Sequence, residues 1–252
     1  MTSTDDHAVF FNPLEPGYIE DPYPHVAAIR AADPVHWTLV ERWALFRYDD
    51  VFRLLRDPDL SVDDAKAAPD ERDTLFETIA ADEGVELVPS TSILGVDPPD
   101  HTRLRRLISK AFTPHTIEAL RPHVEQLVDE ALDRLEAAGG GDVVAELAFP
   151  LPFDVISEML GMPDADKDII RGWSEALVKT LDPIIDESEV RAALRAGKAM
   201  DAHIDGVVEW KRANPADDIL TKMIEAEEDG DRLSAKELRD QVVLLFVAGH
   251  ET

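Results

Sequence analysis

The sequence predicts a mainly α-helical fold with one small β-hairpin near the N-terminus, on three observations. From Asp100 onward, apolar residues recur at spacings of three and four, the repeat of helices with one buried stripe. Only Val35-His36-Trp37-Thr38-Leu39-Val40 and Trp43-Ala44-Leu45-Phe46 carry the β-branched, aromatic pattern of strands, and Glu41-Arg42 between them makes a hairpin. The run Val242 to Val247 has no polar face, which predicts a helix through the middle of a domain, covered on all sides.

Taken in order, Pro22 opens a short helix bearing His25, Val26 and Ile29, and Pro34 stops it. After the hairpin, Tyr48 to Arg56 reads as a helix with Val51, Leu54 and Leu55 on one face. Ser61 to Glu86 is charge-rich and weakly periodic, so it predicts a mobile stretch with a short helix at Asp73 to Ile79. Ile117, Leu120, Val124, Leu127, Val128, Ala131, Leu132 and Leu135 mark a long helix that Pro122 divides and Gly139-Gly140-Gly141 ends. Further helices are predicted at Leu151 to Leu160, Asp164 to Val178, Ser188 to Arg212 and Asp217 to Glu227. Ser234 caps the last helix, with Glu237 three residues on completing a capping box. A chain of 252 residues that is 44% apolar, with no internal repeat, allows one large domain or two small ones, and a single domain spanning 1–252 is expected.

There are 53 acidic and 25 basic residues, for a formal charge of −28, which argues against nucleic acid and against anionic membranes as partners. No apolar stretch reaches the roughly 18 residues of a spanning helix, and Met1 to Asp6 lack a leader pattern, so a soluble cytoplasmic protein is expected. Cysteine is absent, which removes disulfides, thiolate metal sites and cysteine nucleophiles. His115, His123 and His203 have no partner at metal-ligand spacing and read as surface or cap residues; no metal site is expected. Hydrolase, phosphate-loop and dinucleotide fingerprints are also missing.

Two segments carry chemistry. Asp97-Pro98-Pro99-Asp100-His101-Thr102-Arg103-Leu104-Arg105-Arg106-Leu107 is the densest basic cluster in the chain. His101 and Arg105 fall one helical turn apart, where a guanidinium fork and an imidazole can clamp a carboxylate. Arg103, Arg106 and Lys110 point elsewhere, as a cationic surface patch; by itself such a run more often neutralises local acids. In Ala248-Gly249-His250-Glu251-Thr252, a glycine that costs about 1 kcal/mol in a helix marks a close approach to the backbone. The Thr252 hydroxyl can reach back to the Ala248 carbonyl and loosen that turn, and Glu251 adds an ionisable group suited to proton delivery. The same residues also fit an ordinary helix end, with Gly249 as the residue after the helix.

Together the segments resemble a known family. Pro98 to Leu107, followed by Ala111-Phe112-Thr113-Pro114, resembles the C-helix region of bacterial cytochromes P450. Ala248 to Thr252 resembles the oxygen-activation motif of their central I-helix, and Gly230-Asp231-Arg232-Leu233-Ser234 is similar to the usual entry to that helix. The resemblance implies an incomplete cytochrome P450 fold and, in the complete protein, a haem b monooxygenase hydroxylating a small hydrophobic substrate with dioxygen. Electrons would come from a ferredoxin served by an NAD(P)H-dependent ferredoxin reductase. On this resemblance His101 and Arg105 bind a haem propionate, while Ala248 and Gly249 border the oxygen site. Thr252 holds dioxygen and a water, and Glu251 relays protons. Arg103, Arg106 and Lys110 lie near the face where the ferredoxin docks. Ile93, Leu94, Val243, Leu244 and Val247 help line the substrate pocket.

The departure from the family is the missing cysteine, because its thiolate is the axial haem ligand in P450 chemistry. The implied account is a chain cut within the I-helix, inactive by itself and poorly soluble, because the last helix lacks its later cover. A Mg-dependent terpene cyclase is the first alternative, since Asp217-Asp218-Ile219-Leu220-Thr221-Lys222-Met223-Ile224-Glu225 and Asp129-Glu130-Ala131-Leu132-Asp133 resemble its metal motifs. In so acidic a chain such spacings arise easily, and that reading leaves both other segments unexplained. The second alternative is a non-catalytic helical binding protein derived from a truncated P450.

Overall fold

The computed structural model describes residues 10–163, 167–182, 184–228 and 230–251. The chain divides into two compact units, the first ending at Leu60 and the second beginning at Ser61.

In the first unit, α1 (Tyr23–Ala32) has Pro22 at its N-cap and is closed by the Asp33 amide donating to the Ile29 carbonyl at 2.7 Å. β1 (Val35–Trp37) pairs antiparallel with β2 (Trp43–Leu45), placing Val35 opposite Leu45, His36 opposite Ala44 and Trp37 opposite Trp43. The strands are shorter than the sequence pattern suggests. Thr38-Leu39-Val40 belongs to the connection, because the Thr38 hydroxyl donates to the Arg42 carbonyl at 2.9 Å and Glu41 takes a φ of 53°. α2 (Tyr48–Leu54) stops just short of the expected end at Arg56, and none of its side chains is buried.

In the second unit the short helix expected at Asp73 to Ile79 is present and longer than expected. The stretch expected to be mobile holds a 3-10 turn (Asp64–Lys66) and a thirteen-residue helix, α3 (Glu71–Glu83). Asp70 and Asp73 cap α3 reciprocally, and Gly84 ends it with φ at 61°. Its two ends are tied far along the chain. Arg72 donates to the carbonyls of Thr180 and, at 2.8 Å, Asp182. The Glu83 carboxylate accepts from Arg191 at 2.5 Å and from Arg195 at 2.7 and 2.9 Å.

Helices then follow in succession: α4 (Asp100–Ser109), α5 (Pro114–Glu118) and α6 (Arg121–Ala138). Pro122 lies in the first turn of α6 and Gly139, with φ at 75°, ends it, as the sequence indicates. A π-helical turn (Val144–Ala148) leads into α7 (Pro150–Met159). α8 (Lys167–Val178) follows; the expected start of this helix, at residues 164–166, lies outside the described residues. α9 (Glu187–Ala213) carries a second reciprocal cap from Asp186 and Glu189. α10 (Ile219–Glu225) has Asp218 as its N-cap, and a two-residue ladder of β3 (Glu227–Glu228) with β4 (Asp231–Arg232) takes the place of its expected last turn. The Ser234–Glu237 capping box forms as predicted, with backbone-to-side-chain bonds of 2.8 and 3.2 Å, and starts α11 (Ala235–Glu251).

The core joins Leu104 and Ile108 of α4, Phe153 and Ile156 of α7, Met200, Ile204 and Val207 of α9, Leu220 and Met223 of α10, and Leu238, Val242 and Phe246 of α11. Each such burial contributes about 1.5–3 kcal/mol. The expectation that α11 is covered all round is not met. Leu238, Val242 and Phe246, four residues apart, are buried, while Val243, Leu244, Leu245 and Val247 are only half-buried. α7, α8, α9 and α10 all pack against it. No helix among the described residues is long and apolar enough to cross a membrane.

Candidate functional site

The basic helix is placed by its entry. Asp97 accepts from the Lys66 ammonium at 2.6 Å, the Ser61 hydroxyl at 2.5 Å and the Val62 amide at 2.9 Å, which together hold its carboxyl well below the usual carboxylate range. Leu104, Leu107 and Ile108 then anchor α4 in the core. His101 and Arg105 follow at the edge of that buried face, one turn apart, His101 half-buried and Arg105 exposed. Among the described residues neither side chain has a hydrogen bond or an ion pair. The donors of both side chains are therefore uncommitted among the described residues.

Arg103 departs from the expectation of a cationic patch. Its guanidinium bonds Glu237 at the start of α11 and lies 3.5 Å from Asp231 and 3.8 Å from Asp100, with the side chain only 26% exposed. The Glu237 hydrogen bond raises the Arg103 pKa above its ordinary value. Burial disfavours the Glu237 carboxylate, yet the Ser234 amide and Arg103 outweigh it and hold that carboxyl below the usual range. Arg103 thus ties α4 to α11, and Arg106 and Lys110 remain as exposed cations with contacts of their own. Two of the acids that claim Arg103, Asp231 and Glu237, lie more than 100 residues away, beyond any local pattern.

On α11 the structure reveals residues that sequence reasoning missed. Gln241, 1% exposed, accepts from the Ile93 amide at 3.2 Å and donates to the Thr91 carbonyl at 2.9 Å. Asp240 accepts from the Thr91 amide at 2.7 Å and the Thr91 hydroxyl at 2.8 Å. Lys236 donates to Asp240 and to the Pro89 carbonyl, both at 2.7 Å. The loop carrying Ile93 is thereby laid along α11, with Ile93 against the core and Leu94 66% exposed. An amide beside a carboxylate at the edge of an apolar run was the available signal.

At the end of α11 the helix continues through Gly249 to Glu251, so Gly249 is not the residue after the helix. A Cβ at Gly249 would stand 3.1 to 3.4 Å from the Ile156 side chain, so the close neighbour at this glycine is α7. Ala248 and Gly249 are otherwise exposed. His250 is 5% exposed, with Nδ1 2.6 Å from the Phe246 carbonyl and its ring edge-on to Phe149, Phe153 and Phe246 at 5.3 to 5.7 Å. Thr252 and the side chain of Glu251, the expected catalytic groups, lie outside the described residues.

A cavity of about 410 Å³ lies between α3 with its following segment and the α8–α9 pair, lined in part by Phe76, Val85, Leu87, Leu177, Leu194 and Asp201. None of Ile93, Leu94, Val243, Leu244 or Val247 borders it. The acids read as a cyclase motif have other tasks. Asp218 caps α10 and pairs with Lys211 at 2.6 Å, and Asp217 pairs with Lys222 at 2.7 Å. No group of three or more potential metal ligands occurs among the described residues.

No family model matches the chain. Curated relatives do. Cytochrome P450 107B1 of Saccharopolyspora erythraea is 42% identical over 219 residues, covering 84% of this chain and 51% of the relative. The polyketide biosynthesis cytochrome P450 PksS of Bacillus subtilis is 34% identical over 251 residues, 97% of this chain and 60% of the relative. Vitamin D(3) 25-hydroxylase of Pseudonocardia autotrophica is 36% identical over 255 residues, 100% of this chain and 58% of the relative. Among solved structures, PksS superposes with a TM-score of 0.77 at 31% identity, covering 96% of this chain and 58% of its own. The myxobacterial cytochrome P450 CYP267B1, in complex with myristic acid, gives 0.78 at 33%, covering 95% and 59%. The chain belongs to the bacterial cytochrome P450 family, and it spans between half and three-fifths of the length of these relatives.

Proposed function

We propose that the complete protein carrying this chain is a haem-dependent monooxygenase that hydroxylates a small hydrophobic substrate. The observation that carries the reading is the His101–Arg105 pair: an imidazole and a guanidinium one turn apart, with no other partner among the described residues. That donor set fits a carboxylate, and a haem propionate is one. When bound, haem supplies the activation of dioxygen for insertion into a carbon–hydrogen bond. His101 and Arg105 hold the propionate, and Ala248 and Gly249 leave room beside the α11 backbone. Thr252 and Glu251 supply the hydroxyl and the carboxylate that hold and move protons there.

Ile93, Leu94, Val243, Leu244 and Val247 border the substrate, and Arg106 and Lys110 draw in an acidic ferredoxin reduced by an NAD(P)H-dependent reductase. A cysteine thiolate that would hold the haem iron would have to come from outside these 252 residues, since none of them is cysteine. The chain is read as part of one domain of a cytoplasmic protein, and these residues alone are read as inactive. Expression of the complete reading frame should give a reduced, carbon monoxide-bound spectrum with the red-shifted Soret band of thiolate-ligated haem. Arg105→Ala, and more so its combination with His101→Ala, should lower retained haem about tenfold, the effect of losing charged hydrogen bonds. Full haem retention in the double variant would refute the clamp.

A further inference from the structure

Gln241 is an amide buried to 1% exposure at the edge of the apolar run Val242 to Val247, and both ends of its side chain are spent on one loop. Its Oε1 takes the Ile93 amide and its Nε2 serves the Thr91 carbonyl, two main-chain groups separated by a single residue. Only a side chain with an acceptor and a donor on one planar head can satisfy both; glutamate lacks the donor and methionine both strong groups. Asp240 and Lys236 receive the same segment at the Thr91 amide and the Pro89 carbonyl, so four main-chain groups between residues 89 and 93 end on α11. A segment so held cannot shift along the helix without breaking several of these bonds together. Ile93 is consequently held against the core, two residues along the chain from the Thr91 carbonyl.

We infer that Gln241 is a positioning residue for substrate selection: it sets the distance between Ile93–Leu94 and the half-buried Val243, Leu244 and Val247, and thereby the shape of the space between them. This rests on the reading above, that these five residues border the substrate. A merely structural role would weaken the fold and leave discrimination between ligands untouched. A positioning role changes the affinity for a bulky ligand relative to a compact one.

The experiment uses the complete, haem-loaded protein with imidazole as the compact probe and 4-phenylimidazole as the bulky one. Both are titrated by the Soret shift, and hydrogen exchange is followed at the Thr91 and Ile93 amides. In Gln241→Met both amides should exchange faster, and the ratio of the two dissociation constants should move about tenfold, the scale of one lost positioning hydrogen bond. Gln241→Glu, which keeps the acceptor for Ile93, should restore part of the Ile93 protection and part of the ratio. Should Gln241→Met fail to load haem, Thr91→Val, which loses the hydroxyl bond to Asp240, should move the ratio in the same direction by a smaller factor. An unchanged ratio alongside faster exchange would overturn the inference while leaving the haem reading intact. Absence of any imidazole-induced shift in the unmodified protein would instead remove the haem reading, and the inference with it.

Discussion

Lys211 and Asp218 form an ion pair of 2.6 Å whose side chains are only 2% and 9% exposed, and Gly161 is the residue that makes room for it. A Cβ at Gly161 would lie 2.2 Å from the Asp218 carboxylate and 2.5 Å from the Lys211 ammonium, and Gly161 also takes a φ of 58° that L residues avoid. Gly161→Ala should therefore cost about 3 kcal/mol or more, from the left-handed backbone and the displaced pair together. Lys211→Met should cost a similar amount, about 3–5 kcal/mol, by leaving a buried carboxylate alone. Replacing both members recovers most of that, except for about 1 kcal/mol, because Asp218 also accepts from the Thr221 amide as the cap of α10. Urea unfolding of the single and double variants measures each difference, and additive losses would contradict the coupling.

Glu83 should make stability sensitive to acid. Hydrogen bonds from Arg195 and Arg191 lower its pKa from 4.5 to about 2. A carboxyl with a depressed folded-state pKa contributes stability that is complete above its ordinary value and is lost as pH falls toward 2. Glu83→Gln should flatten the pH dependence of the melting temperature in that window. It should also speed hydrogen exchange in α3, whose C-terminal end this carboxylate secures to α9. An unchanged acid limb would count against the link.

Arg103 and its neighbours should separate by what they disturb. Arg103→Ala breaks the tie between α4 and α11 and should cost about 1–2 kcal/mol of stability, with a charge-swapped Arg103→Glu, Glu237→Arg pair recovering part of it. Arg106→Glu with Lys110→Glu should change stability by less than about 0.5 kcal/mol, typical of surface sites. In the complete protein the same pair should slow reduction by a ferredoxin about tenfold at low salt, with the difference shrinking as salt rises. Stopped-flow reduction across a salt series tests this; equal effects from Arg103 and from the surface pair would merge roles that the geometry separates.

The half-buried Val243, Leu244, Leu245 and Val247 should make the 252-residue chain sticky when it is produced alone. Leu244→Gln with Val247→Gln should reduce self-association and dye binding to exposed apolar surface, while changing the melting temperature of this chain little. Light scattering and fluorescence follow both. Stability loss as large as for a core substitution, about 2–5 kcal/mol, would mean that this face is covered after all.

Much of the fold was legible because its determinants are local. The three-and-four spacing from Ile117 to Leu135, the first-turn Pro122, Gly139 and the Ser234–Glu237 box each act within a turn or two, and each element formed where they point. α3 was under-read because its cap is built from two aspartates and its anchors are Thr180, Asp182, Arg191 and Arg195. That His101 and Arg105 lie one turn apart on one helix was legible for the same reason as the helices, since it needs only local spacing. Arg103 was misread because Glu237 claims it only once α4 lies against α11.

By itself the sequence determined the helical class, the order of elements, the two motifs and, through them, the family. Helical periodicity, capping and turn chemistry are set by neighbours in the chain, and the motifs need only their own spacing. Tertiary structure alone decided that α11 is buried on one side, that Gly249 yields to Ile156, and that Gln241, Asp240 and Lys236 hold the loop carrying Ile93. Each of these depends on which surfaces meet. That is a sum of weak contacts between residues far apart in the chain, which no local pattern encodes.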